Sequence, residues 1–214
     1  MVAKDITEIK SIEFGELLCA KFCHDLAGPI GAINNGIDFL DAPNEEMRKK
    51  AIDLVQVSSI QSMGKIAFFR QAYGFIPANS ELNFSNIKTL INNFVHGGGV
   101  SVEFLDHPNV LDSKVSKILF NALLIIFGII MYNGKISIKI SNKASSKKIE
   151  MVGISPIYKV EQELINILKN RSESPMTTRN VQHFYTSYLA KVNMYDIDIT
   201  EDSGKVIFLA KALS

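Results

Sequence analysis

The chain has 214 residues, enough for one large domain or two modest ones, and at 47% apolar it can bury a real core. Its 23 basic and 22 acidic residues leave a net charge of +1, with no basic run, which gives no electrostatic footprint for nucleic acid or a membrane surface. Its two cysteines, Cys19 and Cys23, stand one helical turn apart on an apolar stripe; they read as small core hydrophobes, not as a disulfide framework or metal site, which fits a reducing compartment.

The N-terminus, Met-Val-Ala-Lys-Asp-Ile-Thr-Glu, lacks the apolar stretch of a signal peptide. From about Ile9 to Leu40 the pattern predicts a first helix, on the order of 45 Å long. Cys19, Cys23, Leu26, Ile30, Ile33, Ile37 and Leu40 step by 4 and 3 along it, which is a heptad seam. Asp41-Ala42-Pro43-Asn44 breaks the helix, and Asn44 suits an N-cap with Glu45 and Glu46 in the first turn. A second helix runs from Glu45 to about Tyr73, with Ile52, Val55, Ser59, Ser62, Ile66, Phe69 and Tyr73 again spaced by 3 and 4. Two long helices with a short turn make an antiparallel hairpin, and a second copy would complete a four-helix bundle. The expected assembly is therefore a homodimer.

Residues 74–80 read as a linker, dividing a hairpin domain (1–74) from a second domain (80–214). Beyond it, Ser85 N-caps a helix that stops at Gly97-Gly98-Gly99, and Val100–Phe104 is a strand. Asp112–Met131 reads as a long buried helix; its most apolar part, Ile118–Met131, is too short and too interrupted to span a bilayer. Lys135–Ile140 alternates as a strand with one solvated face, and Ile149–Ile154 is the next strand. Helices follow at 160–169 and 181–192, and 197–200 and 206–209 form a closing hairpin turning at Asp202-Ser203-Gly204. The expected class is α+β: a helical hairpin, then an α/β sandwich whose mixed sheet has helices on one face. With no leader and no span, a cytoplasmic protein is expected.

His24 falls one position off the apolar seam, so it projects to the flank of the bundle near solvent. A lone surface histidine in a helix usually has no role of its own. This one is followed at once by Asp25 and a turn later by Pro29. Imidazole is nucleophilic near neutral pH, one ring nitrogen attacking while the other keeps its proton on a neighbouring acceptor. Asp25 could be that acceptor, although adjacent helical residues point about 100° apart. Gly28, Gly31 and Asn35 continue down the side that carries His24, where glycines suit close approach of a partner or close packing of the two helices. Counting back through the turn places Gln61, Ser62 and Lys65 of the second helix near the level of His24, and these six residues are the expected partner-facing set.

A hairpin carrying His-Asp-Leu-x-x-Pro before such a sandwich resembles the core of a sensor histidine kinase. That family holds ATP on three motifs. In its asparagine-rich helix the first asparagine matches Asn121, but the magnesium-holding one falls on Ile125. An apolar side chain cannot ligate magnesium, whose ligands are oxygens. The adenine-reading Asp-x-Gly-x-Gly falls on Gly153-Ile154-Ser155-Pro156-Ile157, without the acid and the later glycines. The glycine-rich lid is replaced by Ser174–Asn180.

Residues 18–36 (LCAKFCHDLAGPIGAINNG) and Arg179-Asn180-Val181-Gln182-x-x-Tyr185 are similar instead to the ChpT-type bacterial histidine phosphotransferases, kinase-like dimers with a degenerate nucleotide domain. That resemblance implies a phosphotransferase that relays a phosphoryl group between aspartates of receiver domains. His24 would be the acceptor and Asp25 auxiliary, in a two-component phosphorelay. The partners would be receiver domains of a hybrid histidine kinase and of response regulators. No ATP or other cofactor is expected, and magnesium would sit only on the partner receiver. The competing readings are an ATP-dependent histidine kinase and a scaffold that binds response regulators without chemistry.

Other signals are plain. Gly97-Gly98-Gly99 follows a helix and precedes a strand, the reverse of a phosphate loop. His96, His107 and His183 read as a helix end, a loop and a packing residue, with no metal-ligand cluster around them.

Overall fold

A computed structural model describes residues 11–77, 79–131, 133–143 and 146–213. It opens with two long helices, α1 (Ser11–Asp38) and α2 (Glu45–Tyr73). The expected start at Ile9 lies outside the described residues, and α1 stops two residues short of Leu40. Asn44 caps α2 as expected, its Oδ1 accepting from the Glu46 N–H at 2.8 Å and the Met47 N–H at 3.4 Å. Arg48 reaches back to the Ala42 carbonyl (2.7 Å) and fixes the turn. Below it the helices touch at Gly36, where a Cβ would stand 2.6 Å from Val55 Cγ2.

The stripe expected as one seam on each helix is divided between two faces. On α1, Leu26 is buried, but Cys19, Cys23, Ile30 and Ile37 are exposed. The cysteines are therefore not core residues within one chain. On α2, Ser62 and Phe69 are buried, while Ile52 and Ile66 are exposed. The reason is width: a stripe spaced by 3 and 4 covers a third of a helix or more, and each helix meets its hairpin neighbour along only one edge of it.

The chain continues through β1 (Glu81–Asn83), α3 (Phe84–Val95), β2 (Ser101–Asp106), β3 (Val110–Asp112) and α4 (Ser113–Ile129). Then come β4 (Ile130–Met131), β5 (Lys135–Lys143), β6 (Ser146–Ile154), β7 (Ile157–Tyr158), α5 (Gln162–Leu168), α6 (Val181–Val192), β8 (Tyr195–Asp202) and β9 (Lys205–Ala212). The main sheet runs β2-β5-β6-β9-β8, with β2–β5 parallel and the other pairs antiparallel. The fold is thus α+β and mixed, as the pattern predicts. Ser85 does not cap α3: the helix starts at Phe84, which is buried and whose N–H bonds the Asn109 carbonyl at 2.8 Å. The long apolar helix ends at Ile129, two residues early, because Ile130 and Met131 pair with β7.

Alternation decides which face of the sheet is covered. Ile136, Ile138 and Ile140 of β5 are buried, as are Ile149 and Met151 of β6 and Val206 and Phe208 of β9. Lys135 and Lys139 face solvent. Helix α4 lies on the covered face, and Gly153 lets it approach: a Cβ there would meet Ile126 Cγ2 and Ile130 Cγ2 at 3.1 Å.

The root of the hairpin is fastened to this core. Phe68 stacks on Phe94 at 4.1 Å between ring centroids and meets Phe120 edge-on at 5.0 Å. Asn121, fully buried, donates to the Ala72 carbonyl (2.9 Å) and accepts from Gln182 Nε2 (2.8 Å). The Tyr73 hydroxyl donates to Gln182 Oε1. Burial, and less strongly the nearby Asp25 charge, holds that hydroxyl far above the usual tyrosine pKa, so it stays a donor.

Candidate active site

His24 stands on the outer flank of α1 with its side chain 88% exposed, as a position off the seam requires. Its Nδ1 lies 3.4 Å from Asp25 Oδ1, a long contact that side-chain reach achieves despite the angular offset of neighbouring residues. The other carboxylate oxygen, Oδ2, is held by Lys21 Nζ at 2.9 Å, one helical turn back. Lys65 Nζ crosses from α2 and donates to the main-chain carbonyl of Asp25 at 2.8 Å. Desolvation lowers the Lys65 pKa, with the Asp25 charge working against that fall.

Of the residues expected around His24, the structure brings some together and separates others. Lys65 is at the right level and touches Asp25. Gly28 and Asn35 are exposed and Gly31 half-buried; a Cβ at Gly28 or Gly31 would meet nothing within 4 Å. Helix packing therefore does not account for those glycines, and the surface beside His24 is open. The close-packed glycines of the hairpin are Gly36 and Gly64; a Cβ on the latter would stand 2.4 Å from the Asn93 carbonyl oxygen. Ser62 is a correction: it is buried and bonds its hydroxyl to the Ser58 carbonyl at 2.8 Å, because it lies on the α2 edge that faces inward. Gln61 turns to the end of α3, donating to the His96 carbonyl at 3.3 Å. Lys21 was missed by the sequence reading. Its spacing of four residues from Asp25 on a helix is the signal that could have found it.

Behind this cluster a cleft of about 450 Å³ opens between hairpin and sandwich. Lys21, Asp25 and Lys65 line one wall; Ile125, Phe127 and His183 line the other. Ile125 is 2% exposed and packs into the core, and Asn121 is taken up by the hairpin root. His183 is pushed down to about 4, chiefly by burial and further by the nearby Lys21 charge, so it is neutral at physiological pH. His107 stacks on Phe84 at 3.9 Å. Among the described residues no cluster of His, Cys, Asp and Glu could hold a metal ion, and no helix is long and apolar enough to cross a membrane.

The histidine phosphotransferase C-terminal domain family matches residues 84–204. The protein phosphotransferase ChpT of Brucella abortus (strain 2308) is 22% identical over 205 residues, covering 95% of this chain and 97% of the relative. A solved bacterial phosphotransferase superposes with a TM-score of 0.83 at 23% identity, over 94% of this chain and 97% of its own. The Acinetobacter baumannii histidine kinase AdeS aligns over 88% of this chain and 96% of its own, at 14% identity and a TM-score of 0.47.

Proposed function

Because this chain belongs to the histidine phosphotransferase family, we propose that His24 is the phosphoryl carrier of a two-component phosphorelay, taking the group from an aspartate of one receiver domain and passing it to another. The observation that carries this reading is the exposed imidazole with one nitrogen against a carboxylate that is itself held by a lysine. In the proposed step, Nδ1 keeps its proton on Asp25 and Nε2 attacks phosphorus with its lone pair. The N–P bond forms, the P–O bond of the aspartyl phosphate breaks, and the receiver carboxylate leaves with the bonding electrons. The reverse step discharges the group to the next receiver. Magnesium would belong to the receiver.

The chain itself acts without ATP in this reading. Ile125 in the core and Asn121 locked on Ala72 support that, since neither is free to hold a magnesium nucleotide. Calorimetric titration with magnesium ATP should show no binding; a micromolar dissociation constant, about −8 kcal/mol, would restore the kinase reading. Transfer is tested by mixing the chain with phosphorylated receivers. The unmodified chain should take acid-labile, alkali-stable phosphate and His24→Ala none. Label on the His24→Ala chain would overturn the assignment, and no label on either would leave the scaffold reading.

The working unit is a homodimer in the cytoplasm. Residues 1–74 serve as dimerisation and phosphoacceptor domain, residues 80–214 as a degenerate ATPase-like domain. Support comes from the uncovered apolar faces: Ile30 and Ile37 on α1 and Ile52, Met63 and Ile66 on α2 are each at least 41% exposed. Burying an aliphatic side chain is worth roughly 1.5–3 kcal/mol, enough over such a set to exceed the entropy of association. Light scattering should give a dimer, and Ile30→Asp or Ile37→Asp should dissociate it. A folded monomer of the unmodified chain would refute the dimer.

A further inference from the structure

We propose that Lys65, seated on the Asp25 carbonyl that Pro29 leaves open, is a positioning residue for phosphoryl transfer at His24; the inference rests on the phosphoacceptor reading above.

In an α-helix the carbonyl of each residue accepts from the N–H four residues on. For Asp25 that residue is Pro29, which has no N–H and lies buried inside α1. A carbonyl stripped of its partner in a part-buried setting must find another donor. It finds Lys65 Nζ, 2.8 Å away and 40 residues on in the sequence. Lysine ordinarily extends its ammonium into water. Here the ammonium is drawn onto α1 and partly buried.

The seat fixes more than a helix defect. Asp25 is covalently next to His24, so its carbonyl is a handle on the backbone that carries the nucleophile. Lys65 holds that backbone from the second helix, at the level of the imidazole. Its charge and that of Lys21 both bear on the Asp25 carboxylate. Two ammonium groups therefore flank the one anion that meets His24. A phosphoryl group brings further negative charge to the same place. Lys21 and Lys65 offset the repulsion between it and Asp25, so Asp25 can orient the ring without opposing the transfer. Pro29 thus has a function of its own: the proline that removes a helix hydrogen bond creates the seat for a cation.

The test is a mutant cycle in the full chain with a phosphorylated receiver as donor, read as transfer rate and melting temperature. Lys65→Met should slow transfer about tenfold and lower the melting temperature by about 3 °C, with His24 still labelled. Lys65→Arg should recover most of the rate. Pro29→Ala returns an N–H to the ladder and frees Lys65, so transfer should slow to a similar degree. In the Pro29→Ala background, Lys65→Met should cost little further rate and no further stability. Transfer by Lys65→Met at the unmodified rate, or losses that simply multiply in the double variant, would overturn the positioning role alone. An unmodified chain that takes no label would overturn the phosphoacceptor reading and this role with it.

Discussion

The two walls of the cleft are made of the same helix-forming material and do opposite things with it. On the hairpin wall, Lys21, Asp25 and Lys65 are charged, part-exposed and wired to one another. On the sandwich wall, Lys159, Glu161, Arg179 and His183 also line the cleft, but behind them Ile125 is sealed into the core and the polar Asn121 beside it faces away, onto the hairpin root. A charge network tolerates water and can be rearranged by an incoming phosphoryl group. Packed apolar side chains such as Ile125 cannot be exchanged without loosening the fold. On the proposed function, chemistry and support are thus separated between the charged cluster beside His24 and the buried side chains behind the cleft.

The sharpest way to break this comparison is to put charge on the supporting wall. Ile125→Asp should unfold the sandwich or cost about 4 kcal/mol or more, whereas His24→Ala should leave the melting curve within about 0.5 kcal/mol of the unmodified chain. Comparable losses for the two would mean that the walls are not different in kind. Next in size is Asn121→Ala, which takes from the buried Ala72 carbonyl its side-chain donor and from Gln182 Nε2 its shortest acceptor. A loss of about 2–3 kcal/mol is expected in denaturant unfolding, with transfer competence retained while the chain is folded.

A smaller effect is written in pH. His183 is neutral in the folded chain and titrates near 4, against about 6.5 when unfolded. Between those values the unfolded chain binds the extra proton, so this histidine's contribution is full above about pH 6.5 and is lost as the pH falls toward 4. His183→Gln should remove roughly 1–2 kcal/mol of the acid-side decline between pH 6.5 and 4; identical pH profiles would show that the wall does not feel that burial. The smallest change falls on the working wall. Asp25→Asn keeps the shape and removes the charge, and should slow transfer about fivefold, near 1 kcal/mol, with His24 still labelled. An unchanged rate would take Asp25 out of the mechanism.

Much of the fold was legible because burial writes itself as period. The alternation of Lys135–Ile140 and the boundaries of α2 and α6 follow from residue type alone. The two-residue and three-residue strands β1, β3, β4 and β7 were not legible, since so short a segment has no period to read. His24 stood out because a polar residue beside a regular stripe has a direction. The division of the stripe did not, because spacing of 3 and 4 says that a face is apolar and not which neighbour covers it. Lys65 was placed correctly by counting through the turn, while Ser62, three residues away, faces inward: height along a hairpin can be counted, but azimuth needs the partner helix.

The fastening of Asn121, Gln182 and Tyr73 at the hairpin root has a kinetic consequence. A signalling enzyme that must swing a nucleotide-bearing domain against its own histidine needs a slack joint, and its turnover includes the time of that swing. Here the joint is stitched with buried hydrogen bonds and stacked rings. On the proposed function, the backbone that carries His24 is then offered in one attitude to every partner, and the pace of relay becomes a matter of how often receivers arrive and how long they linger.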